Sequence, residues 1–390
     1  MSEALSLIRD CRQFPEISTR VIAKTAFAMF AARLGSLNAV EQLKNRNALT
    51  QFIGADLPSA DTIGRVFGLI DPNTIRQGNR EIYTQMKRNK ALELFDHGLI
   101  ALNVDGHESH ATYMRHCTGC LERTFNKGTE SEKVQYYHRH VTAQLVFRNF
   151  SLILDIEPQR PGEDEKAAAQ RLLERVMKDY PRAFDVVVVD ALYCGAPFIN
   201  FVVDSGKHIV VVAKDDRQDL VKDAKAFING KEPSLVTREG KVERQCWDVE
   251  GFEWSTVKTP LRIVSTLETR TVRRQLDRQI TQETSSWMWA TTLPKVRAST
   301  ATVVKLGHGR WKIENNGFRE MSNDWFSDHI YKHDPIAILN FWLLCMMAYN
   351  TFRCFYLRNL KPAVRTCFTM LHVAREIQSE LYGNPAAHPP

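Results

Sequence analysis

Residues 184–191 read Phe-Asp-Val-Val-Val-Val-Asp-Ala. Four consecutive β-branched residues between two acids leave no polar face for water, so this strand must be covered on both sides. That is the habit of a parallel strand lying under helices. The flanking segments agree. Residues 163–180, EDEKAAAQRLLERVMKDY, have helical periodicity with acids in the first turn. After the valines, APFINFVVDSG reads as a short helix and KHIVVVAKDD as a further strand. Upstream, GLIALNVDG (98–106), RHVTAQLVFRN and FSLILDIEPQ read as three strands, the last two joined tightly at Arg148-Asn149. Three strands, a helix, a strand, a helix and a strand predict an α/β fold, a mixed sheet with helices packed on it.

The rest of the chain divides around this core. Residues 1–95 read as helical, with apolar residues at helical spacing in TRVIAKTAFAMFAARLGSLNAVEQL. Pro58 leads into Ser59 or Asp61, either of which suits an N-cap, and a further helix starts after Asp71-Pro72. Short helices with polar breaks suit a small DNA-binding bundle, and equally any helical cap. Core residues 96–215 precede a polar segment, 216–292, in which GKVERQCWDVEGFEW, PLRIVSTLETRTVRR and SWMWATTL alternate as strands do. A helical tail follows, divided into 293–335 and 336–390. Its apolar run IAILNFWLLCMMAY (336–349) is shorter than the roughly 20 residues of a membrane span, so a buried helix and no membrane are expected. The eight cysteines are scattered and the N-terminus has no apolar run of signal-peptide length, which predicts a reducing compartment, the cytoplasm. The net charge of +7 suits a polyanionic partner without requiring one.

Chemistry concentrates at three acids. Asp105 and Asp190 each end a predicted buried strand, where an unpaired carboxylate is costly unless it binds a cation or faces a cleft. Either one alone reads rather as the cap of the next turn. The third is Glu314 in GHGRWKIENNGFRE, one helical turn after Arg310. Arg310 and Glu314 by themselves read as a surface ion pair, worth a few tenths of a kcal/mol. Three carboxylates converging at strand ends instead suit two divalent cations about 3.5–4 Å apart, and hard oxygen ligands favour Mg²⁺ or Mn²⁺. Glu320 lies near the opposite side of the helix from Glu314.

The order of these elements, with Asp105 on the first strand, Asp190 on the fourth, a β insertion and then R-W-x-I-E-N on a helix, resembles the DDE transposases. More narrowly it resembles bacterial insertion-sequence transposases with an RNase H-like core and a β insertion before the last catalytic Glu. The likeness spans about residues 95–350, and HGRWKIEN followed by DHIYKHDP (328–335) carries it. The resemblance implies an RNase H-like mixed sheet, an N-terminal DNA-binding domain and an inserted β subdomain. It implies Asp105, Asp190 and Glu314 as catalytic metal ligands, with Arg310 on a backbone phosphate. The partners implied are double-stranded DNA, as transposon ends and as target, and a second copy of the chain when assembled on DNA. The chemistry implied is cleavage by activated water followed by attack of a 3′ hydroxyl. A decayed, DNA-binding repressor and an RNase H-like nuclease without strand transfer are the alternatives. Two family positions differ: a Tyr is here Gly307 and a Lys is here Met321. Both family residues help hold the transposon end, so Lys305, His308, Lys312 or Arg319 are candidates to replace them.

Two further groups stand out. Cys117 and Cys120, with His138 and His140 downstream, read as a zinc site or as a loop with reduced thiols beside the active site. In the insertion, Trp247, Trp254, Trp287 and Trp289 accompany an arginine run that includes Arg273 and Arg274. They read either as a base-stacking and phosphate-binding surface or as a small core with a solvated face.

Overall fold

The computed structural model describes residues 2–44, 47–214, 219–273 and 280–383. The valine run forms β5 (Val186–Val189), with all four side chains buried. It lies parallel to β1 (Ala101–Thr112) on one side and to β6 (His208–Val212) on the other. On the far side of β1 comes antiparallel β3 (Lys133–Val146), whose outer edge pairs first with β2 (Leu121–Phe125) and then with β4 (Ser151–Pro158). The helix Glu165–Asp179 connects β4 to β5 and packs on β3 and β4 through Ala168, Leu172 and Val176. This is the RNase H-like mixed sheet expected from the sequence.

The inserted segment forms β7 (Leu235–Glu239), β8 (Val242–Phe252), β9 (Leu261–Arg273) and β10 (Ile280–Thr291). It does not stand apart from the core sheet. The end of β10 pairs with β6 at residues 289–291, so the sheet order continues β6-β10-β9-β8-β7. Only that end of β10 is buried, and most of the rest is exposed. The helix Asp219–Ile228 lies in a segment read from sequence as strands alone; it buries Leu220, Val221 and Ala224 on one face.

β1 also departs from the expectation. It was expected to end beside Asp105, yet it runs on to Thr112. β5 stops there, but β3 keeps pairing with β1 as far as Thr112, and the two continue as a ribbon beyond the parallel strands.

Ser59, rather than Asp61, caps its helix by accepting from the Thr62 amide at 3.2 Å. The N-terminal helices pack on the long helix Pro335–Arg358. Phe67 stacks on Phe341 with ring centroids 3.9 Å apart. The buried Asn340 donates to the carbonyls of Phe67 and Ile70 at 2.8 and 2.9 Å. By length and composition alone this helix is apolar enough to cross a membrane, but it is mostly buried inside the protein. Its Asn350 exchanges hydrogen bonds with both backbone groups of Ile153 in β4, at 2.7 and 3.0 Å. Each such match sets the helix's register, since a buried amide without partners costs about 1–3 kcal/mol.

Candidate active site

Asp105 and Asp190 come from neighbouring parallel strands. The last paired residues are Asn103 and Val188, and the same register carried two positions further sets Asp105 beside Asp190. Asp190 follows the end of β5, where its Oδ1 accepts from the Leu192 amide at 2.9 Å and caps a short turn. The capping reading of a strand-end Asp therefore holds for this residue.

Glu314 arrives from the far end of the chain. The helix Thr300–Gly309 runs behind β6 and β9 and is fixed at both ends. At its start, the buried Arg262 pairs with Asp248 at 2.6 and 2.8 Å and donates to the Ala298 carbonyl, while Thr300 donates to Asp248. At its end, Asn103 of β1 donates to the Gly309 carbonyl at 2.9 Å. Arg310 follows at once. Its Nη1 stands 2.6 Å from Asp105 Oδ2 and 2.8 Å from Glu314 Oε1. The helix then widens into a π-helical turn, Glu314–Phe318, before resuming as Arg319–Trp325. Such turns recur at functional sites because they re-aim side chains within a continuous helix.

A fourth acid joins them. Glu165, buried on the helix Glu165–Asp179, lies over β1 at Gly106, where any side chain would collide with its carboxylate. Its Oε1 accepts from the Tyr193 hydroxyl at 2.7 Å, and its Oε2 is 2.5 Å from Arg139 Nη2. Sequence reading saw Glu165 only as one of the first-turn acids. The available signal was the glycine directly after Asp105, a strand position with no room for a Cβ.

Burial pushes Asp105 up to about 7, with Asp190, Glu314 and Glu165 pushing the same way against the opposing charge of Arg310. Burial also raises Asp190, against its amide cap and Arg310. Four carboxylates thus crowd around few cations, and all their donor atoms are hard oxygens. That donor set fits divalent Mg²⁺ or Mn²⁺.

The departures from the family pattern have structural causes. Gly307 faces the indole of Trp289, which is 1% exposed in β10, and a Cβ at 307 would collide with that ring. Met321 is buried in the core. His308 is bound to Glu268 at 2.7 Å, whereas Lys305 and Arg319 are exposed. Arg274 and the side chains of Lys312 and Arg273 lie outside the described residues. Trp311 is 44% exposed and meets Trp287 edge-on at 5.8 Å. Trp289 is a core residue, while Trp247, Trp254 and Trp287 are half-buried. Glu320 is occupied by Arg353 at 2.7 Å, away from this centre.

Cys117, Cys120 and His138 come together, but His140 does not join them. Two positions along β3 carry it about 6.6 Å further on, where its ring lies 4.3 Å from Trp342 and burial holds its pKa down at about 3.

A family model described as a transposase DDE domain matches residues 104–351. The chain belongs to that family and is a transposase, an enzyme class that acts on DNA and typically uses divalent metal ions. A comparison with curated proteins found no match.

Proposed function

We propose that this transposase binds the terminal inverted repeats of its own element and catalyses strand cleavage and then strand transfer, with Asp105, Asp190 and Glu314 as the catalytic carboxylates. The observation that supports it is the meeting of Asp105 and Glu314 on one guanidinium, with Asp190 in register beside them. In this reading the three carboxylates hold two Mg²⁺ or Mn²⁺ ions, which supply positive charge to the attacking and leaving oxygens of an in-line displacement. The chain's own groups bind and orient the DNA. Arg310 offers a planar fork to a backbone phosphate. Trp311 exposes a ring on which an unstacked base can rest. Arg319 adds exposed positive charge nearby, and Lys312, Arg273 and Arg274 are further candidates for phosphate contact. The working assembly is a homodimer on paired ends, in the bacterial cytoplasm at the nucleoid.

The test is excision from a plasmid carrying paired inverted repeats, with Mg²⁺ and a target plasmid. Excision and joining by the wild type, both lost in Glu314→Gln, support the reading. Nicking without joining would make the chain a nuclease, and repeat binding without either would make it a repressor.

A further inference from the structure

The ribbon that extends β1 and β3 past Asp105 carries a second cluster along its length. Cys117 and Cys120 lie in the connection from β1 to β2, where the Cys120 amide donates back to the Cys117 carbonyl in a tight turn. His138 faces them from β3, opposite Ser109 of β1. The Sγ atoms of Cys117 and Cys120 are 3.7 Å apart, and they stand 3.5 and 3.6 Å from His138 Nε2.

These lengths have a specific chemical meaning. A disulfide would bring the sulfurs to about 2.05 Å. Around a tetrahedral zinc, with Zn–S of about 2.3 Å and Zn–N of about 2.0–2.1 Å, the sulfur–sulfur edge is about 3.7–3.8 Å and the sulfur–nitrogen edge about 3.5–3.6 Å. All three separations match those edges. Cys120 and His138 are buried, so the cluster is not a chance meeting of surface side chains.

The candidate fourth donor stands outside this compact trio, whose ligand atoms all lie within 4.8 Å of one another. The pairing of β1 with β3 slips between Ser109 and Ala111, which leaves His110 as the extra residue of a bulge. His110 has φ +46°, uncommon for a residue other than glycine. Its Nε2 is shut off from solvent and has no hydrogen-bond partner among the described residues. A strained backbone and a buried imidazole nitrogen without a partner are costly unless that nitrogen is used. His116 and His333 stack nearby, with centroids 4.3 Å apart. His116 adjoins Cys117 in sequence and so has little freedom to share its metal.

We propose that Cys117, Cys120 and His138 bind one zinc ion, with His110 Nε2 as the fourth ligand, and that the site is structural. On binding, each thiol releases its proton to solvent and the sulfur coordinates as thiolate. The metal would tie the β1–β2 connection to β3 in the ribbon whose strand β1 carries Asp105. It would also fix the turn at Gly119, which abuts Pro335 at the start of the long helix. The inference stands apart from the carboxylate centre, since soft thiolates select zinc where the acids select Mg²⁺.

The experiment uses the full chain without a histidine tag. Elemental analysis should find one zinc per chain, and Asp190→Asn should retain it. Chelator-stripped protein loaded with Co²⁺ should show the visible bands of a four-coordinate site and a thiolate charge-transfer band. Cys117→Ser and Cys120→Ser should each abolish that band, and His110→Ala should weaken zinc binding by roughly tenfold or more. Circular dichroism shows whether the variants fold, and the wild-type Co²⁺ spectrum does not depend on any variant. A wild type with neither zinc nor thiolate–cobalt bands overturns the site. Unchanged affinity in folded His110→Ala overturns the fourth ligand.

Discussion

Arg310 Nη1 lies 2.6 Å from Asp105 Oδ2, although 205 positions separate the two residues in the chain. The same nitrogen holds Glu314, one helical turn away, at 2.8 Å. A surface i,i+4 pair would have left Arg310 with Glu314 alone. Here the guanidinium is 11% exposed and joins the first strand of the core to its last helix.

That position predicts the effect of removing it. Arg310→Ala should reduce strand cleavage on the order of 10²-fold, the usual loss when one charged donor leaves a reacting centre. The fold should survive, because Asp105, already pushed up to about 7, can take a proton when its partner is gone. Arg310→Lys should recover part of the activity, since a point charge cannot reproduce the planar fork. Plasmid nicking rates and melting curves measure both effects; equal rates in wild type and Arg310→Ala would return Arg310 to a structural ion pair.

Asp190→Asn separates chemistry from architecture. The Asn side-chain oxygen can still accept from Leu192, so the cap and the melting temperature should persist. Cleavage should disappear while binding to repeat-end DNA, read by fluorescence anisotropy, remains and weakens with added salt. Loss of folding together with activity would show that Asp190 serves only as a cap.

Gly307 should be intolerant of even one methyl group. Gly307→Ala sets a Cβ against the Trp289 ring and should cost about 1–3 kcal/mol in urea unfolding, the range for overpacking a tight contact. The double variant Gly307→Ala, Trp289→Leu should lose less than the two single losses added together. Simple additivity would mean that the helix and β10 do not need this close approach.

The pair Arg262–Asp248 ties the insertion to the helix that leads to Glu314, and both side chains are almost fully buried. Burial raises the Asp248 pKa, but hydrogen bonds from Arg262 and Thr300 and the charge of Arg262 outweigh it and hold it below 3.8. Its folded value is therefore depressed relative to the unfolded one. The stability it contributes is fully present above about pH 3.8 and is lost as the pH falls through the lower folded value. Asp248→Asn should cost about 3–5 kcal/mol at neutral pH, because Arg262 is left buried and unpaired. Denaturation of both proteins against pH should show the difference shrinking only in that acid window.

Much of this protein can be read from local pattern alone. The valines of β5 dictate a strand covered on both faces, and the period of 165–179 dictates its helix, because burial and periodicity are local constraints. Spacing along one helix likewise set Arg310 and Glu314 on a common face. What pattern could not show was distance between separate elements. Only the fold decided that Arg310 reaches Asp105, that Glu165 lies over Gly106, and that Trp289 fills the space beside Gly307. The same holds for the cysteine cluster. Strand alternation sets His138 and His140 on one face, but their separation along β3 sends one to the thiols and the other to Trp342. A side chain's type and period are written in its neighbours along the chain. Its partner across the fold is settled by which surfaces can pack without voids or unpaired charge, and that depends on the whole chain together.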